Sequence, residues 1–284
     1  MQLTLQHSKP GTRQSTVSVS KEYLAYVVRL LSFPREYGSP ENERAERLVA
    51  DELMRMFFTC DRIGQTRNVC VGWPEEARIL IGAHFDSVPD TPGADDNASA
   101  VAVMLAAAKT LGLRRDVMYV AFNAEECNLA GSREFVKEMA GQMKKLEQVH
   151  VLEMVGYRDR HPNSQKNPLP MIQAPTTADF LGVVANKSNL VEKIIEAASC
   201  ISVPVLGLAI PEGLPLNAIQ QISPHLLRSD HAPFWEVGVP AVMWTDTSEF
   251  RNPHYHQPSD TPDTLDYEFM AEVAKLLVEV VERG

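Results

Sequence analysis

Apolar positions along the chain switch between two periods. Leu24, Val27, Val28 and Leu31 recur at helical spacing and predict a helix over 20–32 that Pro34 closes. Ser39-Pro40-Glu41 reads as a capped helix start with proline in the first turn, and predicts a second helix over 41–58. Short apolar runs predict strands near 67–72, 77–84 and 116–123. The third, from Val117 to Phe122, shows no polar alternation, as expected of a strand covered on both faces. Between the last two lies 98–109, a helix of small residues able to pack close to a sheet. The pattern continues with a helix at 129–146, strands at 148–155 and 180–185, a helix at 189–200 and a strand at 203–210. A short helix at 231–237, a strand at 240–246 and a helix at 265–283 complete it. Long loops at 157–179 and 211–229 interrupt the alternation and suggest a functional rim, with Gly and Pro concentrated over 211–224. Strands alternating with helices predict an α/β sandwich with a largely parallel or mixed sheet. In such sheets polar chemistry gathers beyond the strand C-termini.

Composition narrows the picture. A chain of 284 residues, 44% apolar, suits one large domain or two small ones and carries enough apolar mass for a substantial core. No apolar run approaches the length of a membrane-spanning helix. A formal charge of -10 disfavours nucleic acid or an anionic membrane as partner. Cys60, Cys70, Cys127 and Cys200 fall in no paired spacing and read as reduced thiols. The first ten residues lack the basic-then-apolar pattern of a signal peptide, so a cytoplasmic location is expected.

The chemistry-bearing residues cluster at predicted strand ends. Gly82-Ala83-His84-Phe85-Asp86-Ser87 ends one strand, and Gly93-Ala94-Asp95-Asp96-Asn97-Ala98-Ser99 opens the next helix. Histidine and carboxylate at i and i+2 point to the same side, so His84 can bind a metal while Asp86 fixes its ring. On its own the pair is equally a solvated loop. Glu125-Glu126 follow an apolar strand and need an offsetting positive charge if buried; the bland alternative is a solvated turn. Adding Glu153, Asp230, His254 and His256 gives imidazoles and carboxylates without thiolate, a donor set for zinc, cobalt or manganese in a hydrolytic site.

The ordered motifs Gly-Ala-His-Phe-Asp-Ser, Gly-Ala-Asp-Asp-Asn-Ala-Ser, Asn-Ala-Glu-Glu, Leu-Glu-Met-Val-Gly-Tyr, Ser-Asp-His-Ala-Pro-Phe and Asn-Pro-His-Tyr-His resemble the co-catalytic di-zinc aminopeptidase family from about residue 40 onward. Bacterial leucine-type aminopeptidases belong to it, and glutamate carboxypeptidase and glutaminyl cyclase are relatives. The resemblance implies a three-layer sandwich of the zinc-exopeptidase type. Within 284 residues no inserted lid or apical domain fits, so a single catalytic domain over 1–284 is expected, with 1–18 as a flexible N-terminal segment. The resemblance also implies two zinc ions, cobalt or manganese being possible. His84 ligates one metal with Asp86 orienting its ring, Asp96 bridges both, Glu126 ligates the metal paired with His256, and Glu153 completes the other site. Asp95 does not bridge. Glu125 is the implied general base, Tyr255 the donor to the developing oxyanion and Asp230 a supporting acid. A cis peptide is implied at Asp96-Asn97. One departure stands out: the family's usual aspartate is here Glu153, which bears on second-metal affinity and on recognition of the substrate's amine. The implied activity is an exopeptidase, most simply an aminopeptidase acting on peptides, with carboxypeptidase, other amide hydrolase, glutaminyl cyclase and catalytically dead binding module as alternatives. The loops at 157–179 and 211–229 are expected to shape the substrate pocket. Gly213, Pro215 and Arg228 lie in the second, and Arg228 either meets a substrate carboxylate or is an ordinary surface arginine.

Overall fold

A nine-stranded sheet organises the computed structural model, which describes residues 4–8, 15–169 and 172–284. Its strands are β1 (Thr4–His7), β2 (Asp61–Ile63), β3 (Asn68–Val71), β4 (Ile79–His84), β5 (Val117–Phe122), β6 (Gln148–Glu153), β7 (Leu181–Ala185), β8 (Val205–Ala209) and β9 (Ala241–Thr245). They lie in the order β1-β8-β7-β9-β6-β4-β5-β3-β2. The central β9-β6-β4-β5 block is parallel throughout, while β7 runs antiparallel to β9 and β3 antiparallel to β5. The sheet is therefore mixed, with its longest strands parallel at the centre, as the alternation of elements predicts.

Helices cover both faces. α1 (Lys21–Leu31), α2 (Pro40–Phe57), α3 (Ala100–Leu111), α5 (Ser188–Ala197) and α8 (Tyr267–Arg283) pack on one side, and α4 (Ala130–Met139), α6 (Leu216–Ile222) and α7 (Ala232–Glu236) on the other. The caps follow the sequence: Ser20 accepts from the Tyr23 amide, Ser39 from the Asn42 amide, and Asp266 from the amides of Glu268 and Phe269. α3 consists largely of Ala and Val, all buried from Ala100 to Ala108, which lets it lie close over the central strands.

Several local expectations change. Residues 4–7, expected within a flexible segment, pair antiparallel with β8; residues 1–3 and 9–14 of that segment lie outside the described residues. β2 was not anticipated. The helix expected over 129–146 ends at Met139, where turns around Gly141 replace it. Within the Gly/Pro loop, the breaker-free stretch between Pro215 and Pro224 forms α6 and buries Ile219. Cys60, Cys70 and Cys127 are free thiols, and the Cys200 side chain is outside the described set.

Register decides what the sheet presents at its edge. His84 sits opposite Phe122, and Gly82 opposite Val151, so His84 and Glu153 reach the same level on neighbouring strands. Glu125 and Glu126 follow the end of β5 on that same rim.

Candidate metal centre

The loop after β5 is pinned from three sides. Asn123 exchanges hydrogen bonds of 2.9 and 3.0 Å with Asn42 of α2, and its backbone amide donates to Asn68 Oδ1 at 3.0 Å. Gly131 packs so closely under this turn that a Cβ there would lie 1.8 Å from the Asn123 carbonyl oxygen. Asp86 then ties the turn to His84. Its two oxygens accept from the amides of Glu125 (3.1 Å) and Glu126 (3.2 Å), and Oδ1 lies 3.4 Å from His84 Nδ1.

The segment before α3 is irregular and carries Asp96. Its Asp96-Asn97 peptide is cis, as the resemblance implies. Asp260 accepts from the amides of Asp95 (2.9 Å) and Asp96 (3.1 Å). Asn97 bonds to the Leu152 carbonyl and the Met154 amide, so it grips the peptides on either side of Glu153. Asp95 turns away from Asp96, accepting from the Gly156 amide and from Asn252.

These supports bring two clusters together: His84, Glu125 and Glu153, and Asp96, Glu126 and His256. Asp96 joins them. Its Oδ1 lies 3.3 Å from His84 Nε2 and its Oδ2 lies 3.1 Å from His256 Nε2. Glu153 Oε2 is 3.6 Å and Glu125 Oε2 3.9 Å from His84 Nε2, and Glu126 Oε1 is 3.4 Å from His256 Nε2. Asp230 is buried behind them, its carboxyl pushed up to about 7 by that burial. His254 does not join. With His256 at a φ of 55° the segment is a turn, so the two histidines diverge and His254 meets Ser259 at 2.9 Å instead.

Charge in this site is lopsided. Burial pushes the Glu125 carboxyl well above its ordinary range, and burial together with Asp96 pushes Glu126 up to about 7. The imidazoles move the same way for a different reason. Burial opposes it, but the carboxylates around His84 hold that ring well above its ordinary value, and Asp96 and Glu126 raise His256 to about 10. Carboxyls that retain protons beside imidazoles that gain them mark a pocket short of positive charge. Buried His84 Nε2, Asp96 Oδ1 and Glu126 Oε1 also have no hydrogen-bond partner among the described residues. Unpartnered nitrogen and oxygen donors converging in an anionic pocket fit divalent cations of the zinc class.

A family model for peptidase family M28 matches residues 68–281. The chain belongs to that family. The M28 match takes in every residue of both clusters. The chain is 35% identical over 210 residues to the uncharacterized protein YfbL of Escherichia coli, covering 69% of this chain and 63% of that one. It is 29% identical over 211 residues to the aminopeptidase YwaD of Bacillus subtilis, covering 72% and 40%. A solved structure, BSAP, a zinc aminopeptidase from Bacillus subtilis, is similar with a TM-score of 0.55 at 26% identity, over 76% of this chain and 49% of that one. The chain thus spans less than two thirds of the length of these M28 relatives.

Two clefts open on the M28 site and share Glu153, Arg228 and Tyr255. One is apolar and lined by Leu169, Phe180, Val184, Leu208, Met243 and Phe250 among others. The other is polar and includes Asn128, Arg133, Asn217 and Gln220. Both long loops contribute, as expected, but Gly213 and Pro215 line neither cleft. Sequence reasoning missed Asp260 and Arg35, and it gave Ser229, the first residue of the Ser-Asp-His-Ala-Pro-Phe motif, no role. The only signal for Asp260 was an acid near the last family motif, and nothing in its local sequence marks Arg35.

Proposed function

We propose that this protein is a di-zinc aminopeptidase that removes apolar residues from the N-termini of peptides. The observation that carries the reading is Asp96, with one carboxylate oxygen toward His84 and the other toward His256. His84, Asp96 and Glu153 would hold one ion, and His256, Asp96 and Glu126 the other. Bound there, the pair would polarise a carbonyl and lower the pKa of water toward neutrality.

The chain's own groups do the rest. Glu125 is close to His84 but belongs to neither ligand set, which leaves its carboxylate to take a proton from the attacking water and deliver it to the leaving amine. The carbon–oxygen bond forms, the carbon–nitrogen bond breaks, and the shed amine leaves neutral. Tyr255 supplies a donor to the oxygen that becomes negative on the substrate carbonyl. The surplus of carboxylates attracts a protonated α-amine. The apolar cleft receives the first side chain, and the polar one takes the remainder of the peptide.

Mass spectrometry of peptides with free or acetylated N-termini, incubated with zinc-loaded protein and with a Glu125→Gln control, tests this. We expect stepwise loss of Leu, Phe or Met from the free set only, and no turnover by the variant although its metal is retained. C-terminal trimming, or equal cleavage of the acetylated set, would overturn it.

A further inference from the structure

Arg228 stands on the ridge between the two clefts and lines both. Its Nη2 donates to the Tyr255 hydroxyl at 2.5 Å. Its Nη1 is bound to the Glu249 carboxylate and lies 2.9 Å from His225 Nδ1. A guanidinium offers donors and no acceptor. The Tyr255 oxygen therefore accepts on this side, and the phenol's own proton must point elsewhere. The Tyr255 ring is also fixed, stacked on His256 with centroids 3.8 Å apart at 20°. Ring and oxygen are thus held independently, which leaves the O–H direction as the remaining freedom.

We propose that Arg228, held by Glu249, is a positioning residue that aims the Tyr255 O–H at the substrate carbonyl oxygen, and that it is not a receptor for a substrate carboxylate. Nη1 faces Glu249 and His225, Nη2 is bonded to Tyr255, and Glu249 matches the charge, so a substrate carboxylate would compete with an anion already held there. The inference rests on the hydrolytic reading above. The two roles differ in kinetics. A donor aimed at charge that exists only in the transition state acts on kcat, whereas a carboxylate receptor acts on KM and only for substrates that carry the carboxylate.

The test compares Arg228→Met, Tyr255→Phe and the double variant, each loaded with zinc and checked for metal content. Substrates are leucine p-nitroanilide and a leucyl tripeptide with a free or amidated C-terminus. Affinities for a leucine phosphonate, which mimics the tetrahedral species, and for free leucine are measured in parallel. We expect Arg228→Met to lower kcat about 10- to 100-fold, somewhat less than outright loss of an oxyanion donor. KM should stay within about 2-fold, alike for acid and amide. In the Tyr255→Phe background the same change should cost less than about 2-fold, because its target is gone. Phosphonate affinity should fall with kcat while leucine affinity holds. Glu249→Gln, which loosens the guanidinium without emptying its place, should give the same pattern at smaller size and covers the case in which Arg228→Met folds poorly. Additive losses in the double variant, or a KM effect confined to free-acid peptides, would overturn the proposal. A wild-type protein that cleaves neither substrate would overturn the hydrolytic reading instead, and the phosphonate arm would still report whether Arg228 acts through Tyr255.

Discussion

Ser229 Oγ donates to Glu153 Oε2 at 2.6 Å. That bond bears on the position where the family resemblance leads one to expect aspartate. Glutamate has one more rotatable bond, so an unsupported carboxylate here would sample more orientations. Ser229 removes that freedom by holding Oε2, the same oxygen that faces His84 Nε2 at 3.6 Å. Ser229→Ala should therefore weaken zinc binding at the His84 side by about 10- to 100-fold, the usual effect of losing a bond that orients a ligand. Thermal stability of the metal-free protein should barely change. Competition against a chromophoric chelator measures the first and thermal unfolding the second. Unchanged zinc affinity would show that Glu153 is oriented by something else.

The shared position of Asp96 makes metal stoichiometry diagnostic. Glu126→Gln and Glu153→Gln should each leave about one zinc bound, from opposite sides, whereas Asp96→Asn should release both together. Chelation of the unmodified protein should lower its unfolding temperature. A free zinc concentration 100-fold above the dissociation constant should restore about 2.7 kcal/mol per site. Elemental analysis beside thermal unfolding reads both quantities. Loss of only one ion from Asp96→Asn would remove it as the common ligand.

The parts of this site that could be read from sequence are those a strand carries to its own end. His84, Asp86, Glu125, Glu126 and Glu153 are legible because an apolar run stops and polar residues begin, and the sheet then aligns those ends. His254 misleads because i, i+2 spacing shares a side only in extended backbone, and Asn252–His256 is a turn. Asp260 and Arg35 are silent for another reason. Asp260 meets the amides of residues 165 and 164 positions away and Arg35 the Phe85 carbonyl 50 positions away, so only the finished fold gives them a role. The same holds for β1, whose Thr-Leu-Gln-His carries no apolar run and becomes a strand through the open edge of β8.

Arg35 is a fully buried cation that makes its side-chain hydrogen bonds to backbone carbonyls. It donates to Leu31, Phe33, Phe85, Pro92 and Gly93 at 2.5–3.2 Å, stitching the end of α1 to both segments that carry ligands. Burial lowers its pKa to about 10, and the charges of Asp86, Asp260, Asp96 and Glu126 work against that fall. Gly93 is part of this joint: at its φ of +59° a Cβ would approach the Asp96 carbonyl oxygen to 2.3 Å. Arg35→Met keeps the apolar stem but strands these carbonyls, and should destabilise the protein by about 3 kcal/mol in urea unfolding. Arg35→Lys should rescue little, because one ammonium cannot span the fork. A loss below 0.5 kcal/mol, roughly the scatter of neutral surface changes, would contradict this.

The last prediction concerns pH. Glu46 on α2 is almost fully covered and accepts from Arg62 Nε (2.9 Å), Arg67 Nε (2.5 Å) and Arg67 Nη2 (2.9 Å), fastening α2 to the β2–β3 hairpin. Burial alone would raise its carboxyl, but the two arginines outweigh burial and hold it below the ordinary 4.5. A depressed folded-state pKa means the unfolded chain takes up the proton first as pH falls. The stabilisation is therefore complete above about pH 4.5 and is lost as pH drops through the folded-state value. The arginine side chains are 32% and 56% exposed, so screening keeps the contribution near 1 kcal/mol. Glu46→Gln should lose that amount at pH 7 in urea unfolding, less in high salt, and the gap to the unmodified protein should narrow below pH 4. A gap that is constant from pH 7 to pH 3 would assign the loss to packing of the stem and not to the ion pairs.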